Sequence, residues 1–124
     1  CIIYYPMFRN QPEEIHSPGG QIDVFPTIAG LVGGNYTNNT LGIDMLHERR
    51  QWMFFSQDDK IGVADTADLY LWQMSGPECM FNIITHEDIL RTKKAKADSM
   101  RDHAFSMIQY AQWLRNNNMT GIRQ

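Results

Sequence analysis

Cysteine, long apolar runs and a strong excess of one charge are all scarce in this sequence. Its 124 residues include two cysteines, Cys1 and Cys79, which make no disulfide framework and belong to no Cys-x-x-Cys pair. No apolar run approaches the roughly 18 residues that cross a membrane, so we expect a soluble chain without a direct membrane span. The net charge is −3. The one short basic run, residues 91–96, is typical of a solvated helix face, and nucleic acid is not expected as a partner.

The histidines of the chain are scattered, which argues against a metal site. None of them forms a His-x-His or His-x-x-x-His pair, and no Asp-His-Gly triplet occurs. The acidic residues between the predicted strands do not fit the spacing of a twelve-residue calcium loop and are typical of turns. The sequence therefore predicts no metal and no other cofactor bound by this chain. The four histidines are His16, His47, His86 and His103.

The first fifty residues predict a strand, a loop and a helix, which together make an α/β unit. Ile2–Tyr5 is a short β-branched and aromatic run ended by proline, typical of a strand buried on both faces. Asp23 is predicted to cap a helix that runs to Val32 and packs on the same sheet. Pro26 falls in the first turn, where its missing N–H costs little, and Gly33 supplies a left-handed stop.

Residues 51–84 predict an antiparallel meander, and residues 85–118 predict a long C-terminal helix. A capping pattern at Thr85 and Asp88 marks the expected start of that helix. Apolar residues from Met100 to Leu114 then recur at helical spacing and are expected to pack on the meander. The isolated chain is thus predicted to be α+β. The four β-prone runs, separated by short polar turns, are Gln51–Ser56, Lys60–Ala64, Ala67–Trp72 and Glu78–Ile84.

Two runs of sequence carry a family resemblance. Gly20–Gly33 reads Gly-Gln-Ile-Asp-Val-Phe-Pro-Thr and then an apolar stretch closed by glycine, and Gly42-Ile-Asp-Met-Leu follows nine residues later. The pattern resembles the C-terminal region of the sulfatase-like branch of the alkaline phosphatase superfamily. Gln21 stands where ordinary sulfatases more often carry His or Ser. Because Gln21 is typical of the synthase branch, the chain most resembles the lipoteichoic acid synthase, or phosphoglycerol transferase, family.

The resemblance implies that this chain is the C-terminal segment of a longer bacterial enzyme, termed here the parent enzyme. The segment would complete an alkaline-phosphatase-like α/β fold in a catalytic domain outside the cytoplasm, anchored to the inner membrane. A divalent metal (manganese, calcium or zinc), its ligands and a Thr, Ser or Cys nucleophile would all be held upstream. None of those motifs occurs here. The isolated chain is therefore expected to be inactive, whereas the parent enzyme would act on phosphate or sulfate esters.

Seven residues stand out as candidates within the segment. His16 and Gln21 are candidates for substrate binding or for support of the active site, because the loop after the first strand can reach the carboxyl ends of an α/β sheet. A solvated loop histidine is the simpler interpretation of His16. The other five are predicted to be structural: Asp23 as a helix cap, Thr27 as a partner of nearby backbone, Asp44 as a turn former, and with them Pro26 and Gly42.

Three functions remain open at this point. The parent enzyme would be a transferase with an upstream Thr nucleophile, or an arylsulfatase with an upstream Cys or Ser. Alternatively, the chain is a non-catalytic binding or assembly module that docks through its meander and Met-rich helix. In the first two cases its partner is the remainder of the parent enzyme. Separated from that remainder, Ile2–Tyr5 would be an orphan strand, so the isolated chain is expected to self-associate.

Overall fold

The computed structural model describes residues 2–3 and 14–120. A 3-10 turn at Gln21–Asp23 leads directly into helix α1, Val24–Val32, and a stretch of turns and loops then reaches the sheet. The predicted α+β organisation is confirmed. The remaining elements are β1 Met53–Gln57, β2 Lys60–Ala64, β3 Asp68–Gln73, β4 Cys79–Asn82 and helix α2 Lys94–Asn116.

The four strands form the predicted antiparallel meander, in the order β1-β2-β3-β4. Phe54 lies opposite Val63, Val63 opposite Tyr70, and Tyr70 opposite Met80. Because side chains alternate between the two faces of a strand, these four residues line the same face of the sheet. The meander forms because each β-prone run ends at a short polar turn that reverses the chain.

Aspartates close two of these turns, as the sequence predicts. Asp58 adopts a left-handed φ of 49° between β1 and β2, a conformation that Asp tolerates better than most side chains. Between β2 and β3, the Asp65 carboxylate accepts hydrogen bonds from the N–H groups of Ala67 and Asp68, at 2.9 and 2.8 Å. The turn aspartates therefore fix where β1 and β2 end.

Helix α2 packs on β2 and β3 and closes the core. Both layers contribute side chains that are almost completely removed from solvent, and burial of each large one stabilises the fold by about 2 kcal/mol. The predicted packing of the Met-rich helix on the meander is confirmed. The core residues are Ile61, Val63, Tyr70 and Met80 from the sheet and Ala97, Met100 and Ala104 from the helix.

Helix α2 begins at Lys94, nine residues later than the capping pattern at Thr85 predicts. The chain after β4 instead turns back on that strand. Asn82 nucleates the turn, since its side-chain oxygen accepts hydrogen bonds from the N–H groups of residues 84 and 85, at 3.0 and 2.9 Å. The backbone then pairs with β4, where the N–H of Ile89 donates to the carbonyl of Met80 at 2.8 Å. Backbone pairing with β4 therefore takes precedence over the local helix signal.

The predicted strand Ile2–Tyr5 finds no support in its described part. Ile2 and Ile3 are exposed and belong to no strand, while residues 4 and 5 lie outside the described residues. Helix α1 forms where it was predicted, but its main contacts are with the 3-10 turn before it and not with the sheet. The expected packing of this helix on a sheet is thus not found among the described residues.

Candidate functional site

Asp23 is the centre of the segment that carries the family resemblance. Only 2% of the residue is exposed. One carboxylate oxygen accepts a hydrogen bond from the N–H of Gly20 at 2.7 Å, and the other accepts one from the N–H of Ile43 at 2.9 Å. The second oxygen also contacts the guanidinium of Arg50. Asp23 therefore ties together three stretches of chain: the 3-10 turn, the Gly42–Leu46 run and the residues that enter β1.

The predicted role of Asp23 as a side-chain cap of α1 is wrong. The residue precedes the helix, but its carboxylate makes no capping hydrogen bond to the first turn of α1. The backbone of Asp23 is already helical, with φ −87° and ψ −13°, because the 3-10 turn runs into the helix without a break. A capping side chain normally sits on an extended residue. The Asp23 carboxylate instead accepts from the N–H of Gly20, before the 3-10 turn, and from the N–H of the distant Ile43.

Thr27 makes a second connection between the same two runs. Its hydroxyl accepts a hydrogen bond from the N–H of Met45 at 3.0 Å and donates to the carbonyl of Ile43 at 3.5 Å. The sequence predicts a local bond, but both partners are 16 or more residues away. Pro26, which is fully buried, accepts a hydrogen bond at its carbonyl from the hydroxyl of Tyr36 at 3.1 Å. The loop after α1 is thereby folded back on the helix.

Two glycines are required by the close approach of these runs. A Cβ on Gly42 would lie 2.0 Å from the carbonyl oxygen of Ile22, and a Cβ on Gly30 would lie 2.0 Å from a carboxylate oxygen of Asp44. Neither distance is possible for a real side chain. A larger residue at position 42 would push the two backbone runs apart, and one at position 30 would displace the Asp44 carboxylate. We term residues 20–50, held together by Asp23, Thr27, Gly30, Gly42 and Asp44, the motif unit.

Asp44 holds an exposed histidine that the sequence does not single out. Asp44 is 8% exposed, and its carboxylate accepts a hydrogen bond from the N–H of Leu46 at 3.0 Å, which is the predicted turn geometry. The other carboxylate oxygen lies 2.6 Å from Nδ1 of His47, whose side chain is 71% exposed. A carboxylate at Nδ1 fixes the ring and leaves Nε2 as the outward-facing nitrogen.

The two residues predicted to reach an active site lie at the surface of the motif unit. His16 is exposed, and its Nε2 lies 3.9 Å from a carboxylate oxygen of Glu14. Gln21 is exposed on the 3-10 turn. The structure thus brings together Asp23, Pro26, Thr27, Gly42 and Asp44, and places His16 and Gln21 outside that cluster. Arg50, the counter-ion of Asp23, has no sequence signal because 27 residues separate the pair.

The motif unit has its polar residues inside and its large apolar residues outside. Its buried positions are Asp23, Pro26, Thr27, Gly42 and Asp44. By contrast, Phe25 is 60% exposed, Ile28 46% and Val32 76%, and α1 contains no charged residue. Isolated exposed apolar residues are ordinary, but a whole helix face of them marks a contact surface.

The motif unit meets the sheet through Arg50 and Trp52. Arg50 reaches back to Asp23, while the Trp52 ring packs edge-on against the His103 ring of α2, with centroids 5.3 Å apart. Burial, together with the positive charge of Arg50, lowers the pKa of His103. The lowered pKa favours the neutral ring, and His103 packs against Trp52 at this junction.

Helix α2 is tied to the sheet by two groups of ion pairs. Asp68, with no exposed surface, receives Nζ of Lys93 at 2.7 Å and Nζ of Lys96 at 2.6 Å, and Lys96 also reaches Asp65 at 2.6 Å. Burial opposes ionisation of Asp68, but the two lysine hydrogen bonds outweigh it and lower its pKa. The basic run predicted to be a freely solvated face is thus largely engaged with acidic partners.

The second group surrounds Glu78. The hydroxyl of the buried Tyr70 donates to Glu78 at 2.7 Å, and Lys94 contacts the same carboxylate at 3.0 Å. Burial and the adjacent carboxylate raise the pKa of Tyr70 well above its ordinary value, whereas the hydrogen bonds from Tyr70 and Lys94 lower the pKa of Glu78. Each ionisable group here has a partner of the right kind, which is the pattern of a structural network.

Cys79, the cysteine that the structure describes, is a thiol whose pKa is raised by burial, so it is a poor nucleophile. Across residues 2–3 and 14–120, no three His, Cys, Asp or Glu side chains are grouped so that they could hold a metal ion.

An open apolar depression beside β3 and β4 is lined by Leu69, Phe81, Asn82, Ile83 and His86. No helix in the described part of the chain is both long and apolar enough to span a bilayer.

Comparison of the sequence with protein-family models gives no match, and comparison with curated proteins gives none either. The function therefore has to be argued from the motif unit, its exposed helix face and the chemistry of its residues.

Proposed function

We propose that this chain is the C-terminal, non-catalytic segment of a sulfatase-like enzyme, of the phosphoglycerol transferase type, and that it completes the fold of the parent enzyme. The observation that carries the proposal is the motif unit. The two sequence runs with the family resemblance are the two runs that interlock around Asp23, and four residues of the pattern have steric or hydrogen-bonding reasons to be there: Asp23, Thr27, Gly42 and Asp44. The spacing of the pattern thus corresponds to one compact structural element.

The inverted polarity of the motif unit supports a role in completing a larger domain. Thr27, on the inner side of α1, is buried within the motif unit, whereas Phe25, Ile28 and Val32 face outward. A helix face of exposed apolar residues is typical of a surface that contacts a partner. The remainder of the parent enzyme is the partner that the proposal supplies. In that arrangement the hydrogen bonds of Asp23 and Thr27 fix the orientation of α1 against the Gly42–Leu46 run.

The proposal assigns the chemistry of ester cleavage to residues upstream of this chain. The family's nucleophile and its Asp and His metal ligands have no counterpart in this sequence. The buried carboxylates do not fit a divalent metal, because their oxygens already bind N–H groups, lysine ammonium groups, the Arg50 guanidinium or the His47 ring. The manganese, calcium or zinc implied for the parent enzyme would therefore be held elsewhere.

The coding sequence upstream of Cys1 tests the proposal. It should encode a Thr, Ser or Cys nucleophile and an Asp-His metal pair. Thr favours the transferase, and Cys or Ser favours an arylsulfatase. An upstream sequence without those motifs would contradict the proposal and favour a binding or assembly module. One observation already fits that second function: β1–β4 and α2 close a core without help from the motif unit.

Activity of the isolated chain gives an independent test. The purified 124-residue chain is expected to hydrolyse neither p-nitrophenyl phosphate nor p-nitrophenyl sulfate, with or without manganese, because metal and nucleophile act as a unit. Hydrolysis that copurifies with the chain and disappears in His16→Ala or His86→Ala would contradict the assignment of the chemistry to upstream residues.

A further inference from the structure

The two edges of the four-stranded sheet differ. The β4 edge is covered by the chain that follows it, since the N–H of Asn82 donates to the carbonyl of Glu87 at 3.0 Å and the N–H of Ile89 donates to the carbonyl of Met80 at 2.8 Å. Strand β1 forms the other edge and pairs with β2 alone. An open edge presents a row of backbone N–H and carbonyl groups that another strand can bind.

The outward-facing backbone groups of β1 belong to Phe54 and Ser56. At the end of β2, the N–H of Asp65 donates to the carbonyl of Asp68 at 3.0 Å, so the odd-numbered residues along β2 bond to β3 and the even-numbered ones bond to β1. Phe54 and Ser56 lie opposite odd-numbered residues and therefore point their N–H and carbonyl groups away from the sheet. Within residues 2–3 and 14–120, no hydrogen bond reaches those groups. The residues that lie opposite the even-numbered positions are Met53, Phe55 and Gln57.

Strand β1 lacks the features by which edge strands usually avoid pairing, which are charged residues, proline and bulges. Residues 51–57 contain no charged residue and no proline. The register with β2 is continuous over five residue pairs, so the strand has no bulge. Phe54 and Phe55, at the middle of the strand, are half-buried and lie on opposite faces of the sheet. Aromatic pairs across neighbouring strands are favourable, so the middle of this edge favours the addition of a strand.

The two ends of β1 carry charges in complementary order. Residues 48–50 read Glu-Arg-Arg and residues 58–60 read Asp-Asp-Lys, so the second run in reverse opposes every charge of the first. Arg50 is held by Asp23 within the chain. Arg49 and Asp58 are exposed, and in the described part of the chain neither has an ion-pair partner, since Arg49 donates to backbone carbonyls. An antiparallel copy of β1 would bring its Asp58 end beside the Arg49 end.

We propose that β1 pairs with β1 of a second copy of this chain, antiparallel and across a two-fold axis at Phe54. The two four-stranded sheets then join into one sheet of eight strands. In this register the Phe54 residues of the two copies exchange backbone hydrogen bonds, and Ser56 lies opposite position 52. Each copy uses the same surface, so the assembly closes as a dimer. The order of the charges commits the edge to a second copy, because β1 itself is a strand whose reversed sequence opposes them.

The inference does not depend on the proposed function. It concerns the 124-residue chain by itself, whereas the coding sequence upstream of Cys1 tests the role in a parent enzyme. Either can fail without the other.

Sedimentation equilibrium of the chain over a wide range of concentration tests the pairing. A reversible equilibrium between monomer and dimer is expected. Ser56→Lys places a charge at an exposed position of the open edge and should raise the Kd of the dimer by roughly tenfold or more, because charges on an edge strand oppose pairing. Gln109→Lys adds the same charge at an exposed position of α2 and should leave the Kd unchanged.

Charge reversal tests the antiparallel orientation. Arg49→Glu and Asp58→Lys should each raise the Kd by about tenfold, since each change introduces repulsion at two symmetry-related sites. Arg49→Glu/Asp58→Lys restores opposite charges at both ends and should bring the Kd back close to that of the wild type. Asp58 has a left-handed φ of 49°. Strain of lysine at that position is the same in the single and the double variant, so the recovery reports the charges.

Amide hydrogen exchange identifies the surface that pairs. The N–H groups of Phe54 and Ser56 should become protected as the concentration rises, whereas the N–H of Phe55, which faces β2, should be protected throughout. A monomer at every concentration would overturn the proposal. So would a dimer in which Phe54 and Ser56 exchange as fast as in the monomer, or a double variant that associates no more tightly than the single ones. Protection of these two amides only in the parent polypeptide would also overturn it and assign the edge to an upstream strand.

Discussion

The motif unit and the layer formed by the sheet and α2 bury opposite kinds of side chain. In the sheet and α2, apolar side chains such as Val63, Tyr70 and Met100 are removed from water, and charges lie around their margin. In the motif unit, hydrogen bonds of Asp23 and Thr27 occupy the interior, and the apolar face of α1 is left in water. The sheet and α2 thus cover their own apolar side chains. Under the proposed function, the apolar face of α1 is covered by the remainder of the parent enzyme.

The largest predicted effect separates the two regions directly. Met100→Ala should destabilise the chain by about 2–5 kcal/mol, because it leaves a cavity between α2 and the sheet. Ile28→Ala, in the exposed face of α1, should change the free energy of unfolding by less than about 0.5 kcal/mol. Urea denaturation followed by circular dichroism measures both. Comparable losses in the two variants would mean that α1 belongs to the same core as the sheet.

A second prediction concerns the buried charge in the sheet and its dependence on pH. Asp68→Asn should cost about 2 kcal/mol at neutral pH, less than for a fully buried pair because both lysine partners are partly exposed. The pKa of Asp68 is lowered in the folded state, so the unfolded state binds protons first as the pH falls. Stability should therefore fall as the pH drops through about 4 toward the folded pKa.

The variant provides the control for that pH dependence. The difference in stability between the wild type and Asp68→Asn should shrink as the pH falls, and be smallest in acid. Asp65 and Glu78, whose pKa values are also lowered, should leave the variant some sensitivity of its own. A difference that stays constant from neutral pH to acid would show that the Asp68 charge contributes nothing to the fold.

A third prediction tests the interlocking of the motif unit. Gly30→Ala should destabilise the unit by about 1–2 kcal/mol, although alanine is the better helix former, because the new Cβ would overlap the Asp44 carboxylate. Gly34→Ala is the matched control, since a Cβ there meets nothing within 4 Å. Hydrogen exchange of the α1 amides is the readout. Equal exchange rates in both variants would show that the two runs are not in contact.

Much of the sheet and of α2 could be predicted from the sequence. The four strands follow from β-prone runs separated by short polar turns, because both signals are local. The start of α2 could not be predicted, since Thr85 and Asp88 lie where the chain pairs with β4, and that pairing depends on tertiary structure. The basic run could be recognised, but its partners Asp65 and Asp68 are brought close by the meander and α2 together.

The motif unit was less predictable, even though its sequence is the most recognisable. Its pattern indicates which residues have structural roles, but it does not indicate which partners they bind. Asp23 has the sequence position of a helix cap, yet its partners Ile43 and Arg50 are 20 or more residues away. His47 gains its ordered ring from Asp44 three residues earlier, a spacing too common to be noticed. A hydrogen-bonded interior leaves no periodic signal, whereas an apolar core does.

The smallest predicted effect on stability comes from the exposed face of α1. Phe25→Ser/Ile28→Ser should leave the melting of the isolated chain nearly unchanged, because both side chains are already in contact with water. The same substitutions in the parent enzyme should prevent the segment from joining its fold and greatly reduce the yield of folded enzyme. Normal folding of the substituted parent enzyme would remove the proposed role of this face.

Hydroxyl-radical footprinting of Phe25 tests the central claim most directly. The rate of oxidation of this ring is measured in the isolated chain and in the parent polypeptide extended upstream of Cys1, with Ile84, 80% exposed beside the sheet, as the reference side chain. If the apolar face of α1 is completed by the upstream domain, Phe25 will be oxidised rapidly in the isolated chain and strongly protected in the parent polypeptide. An equal rate of oxidation of Phe25 in the two proteins would contradict the account.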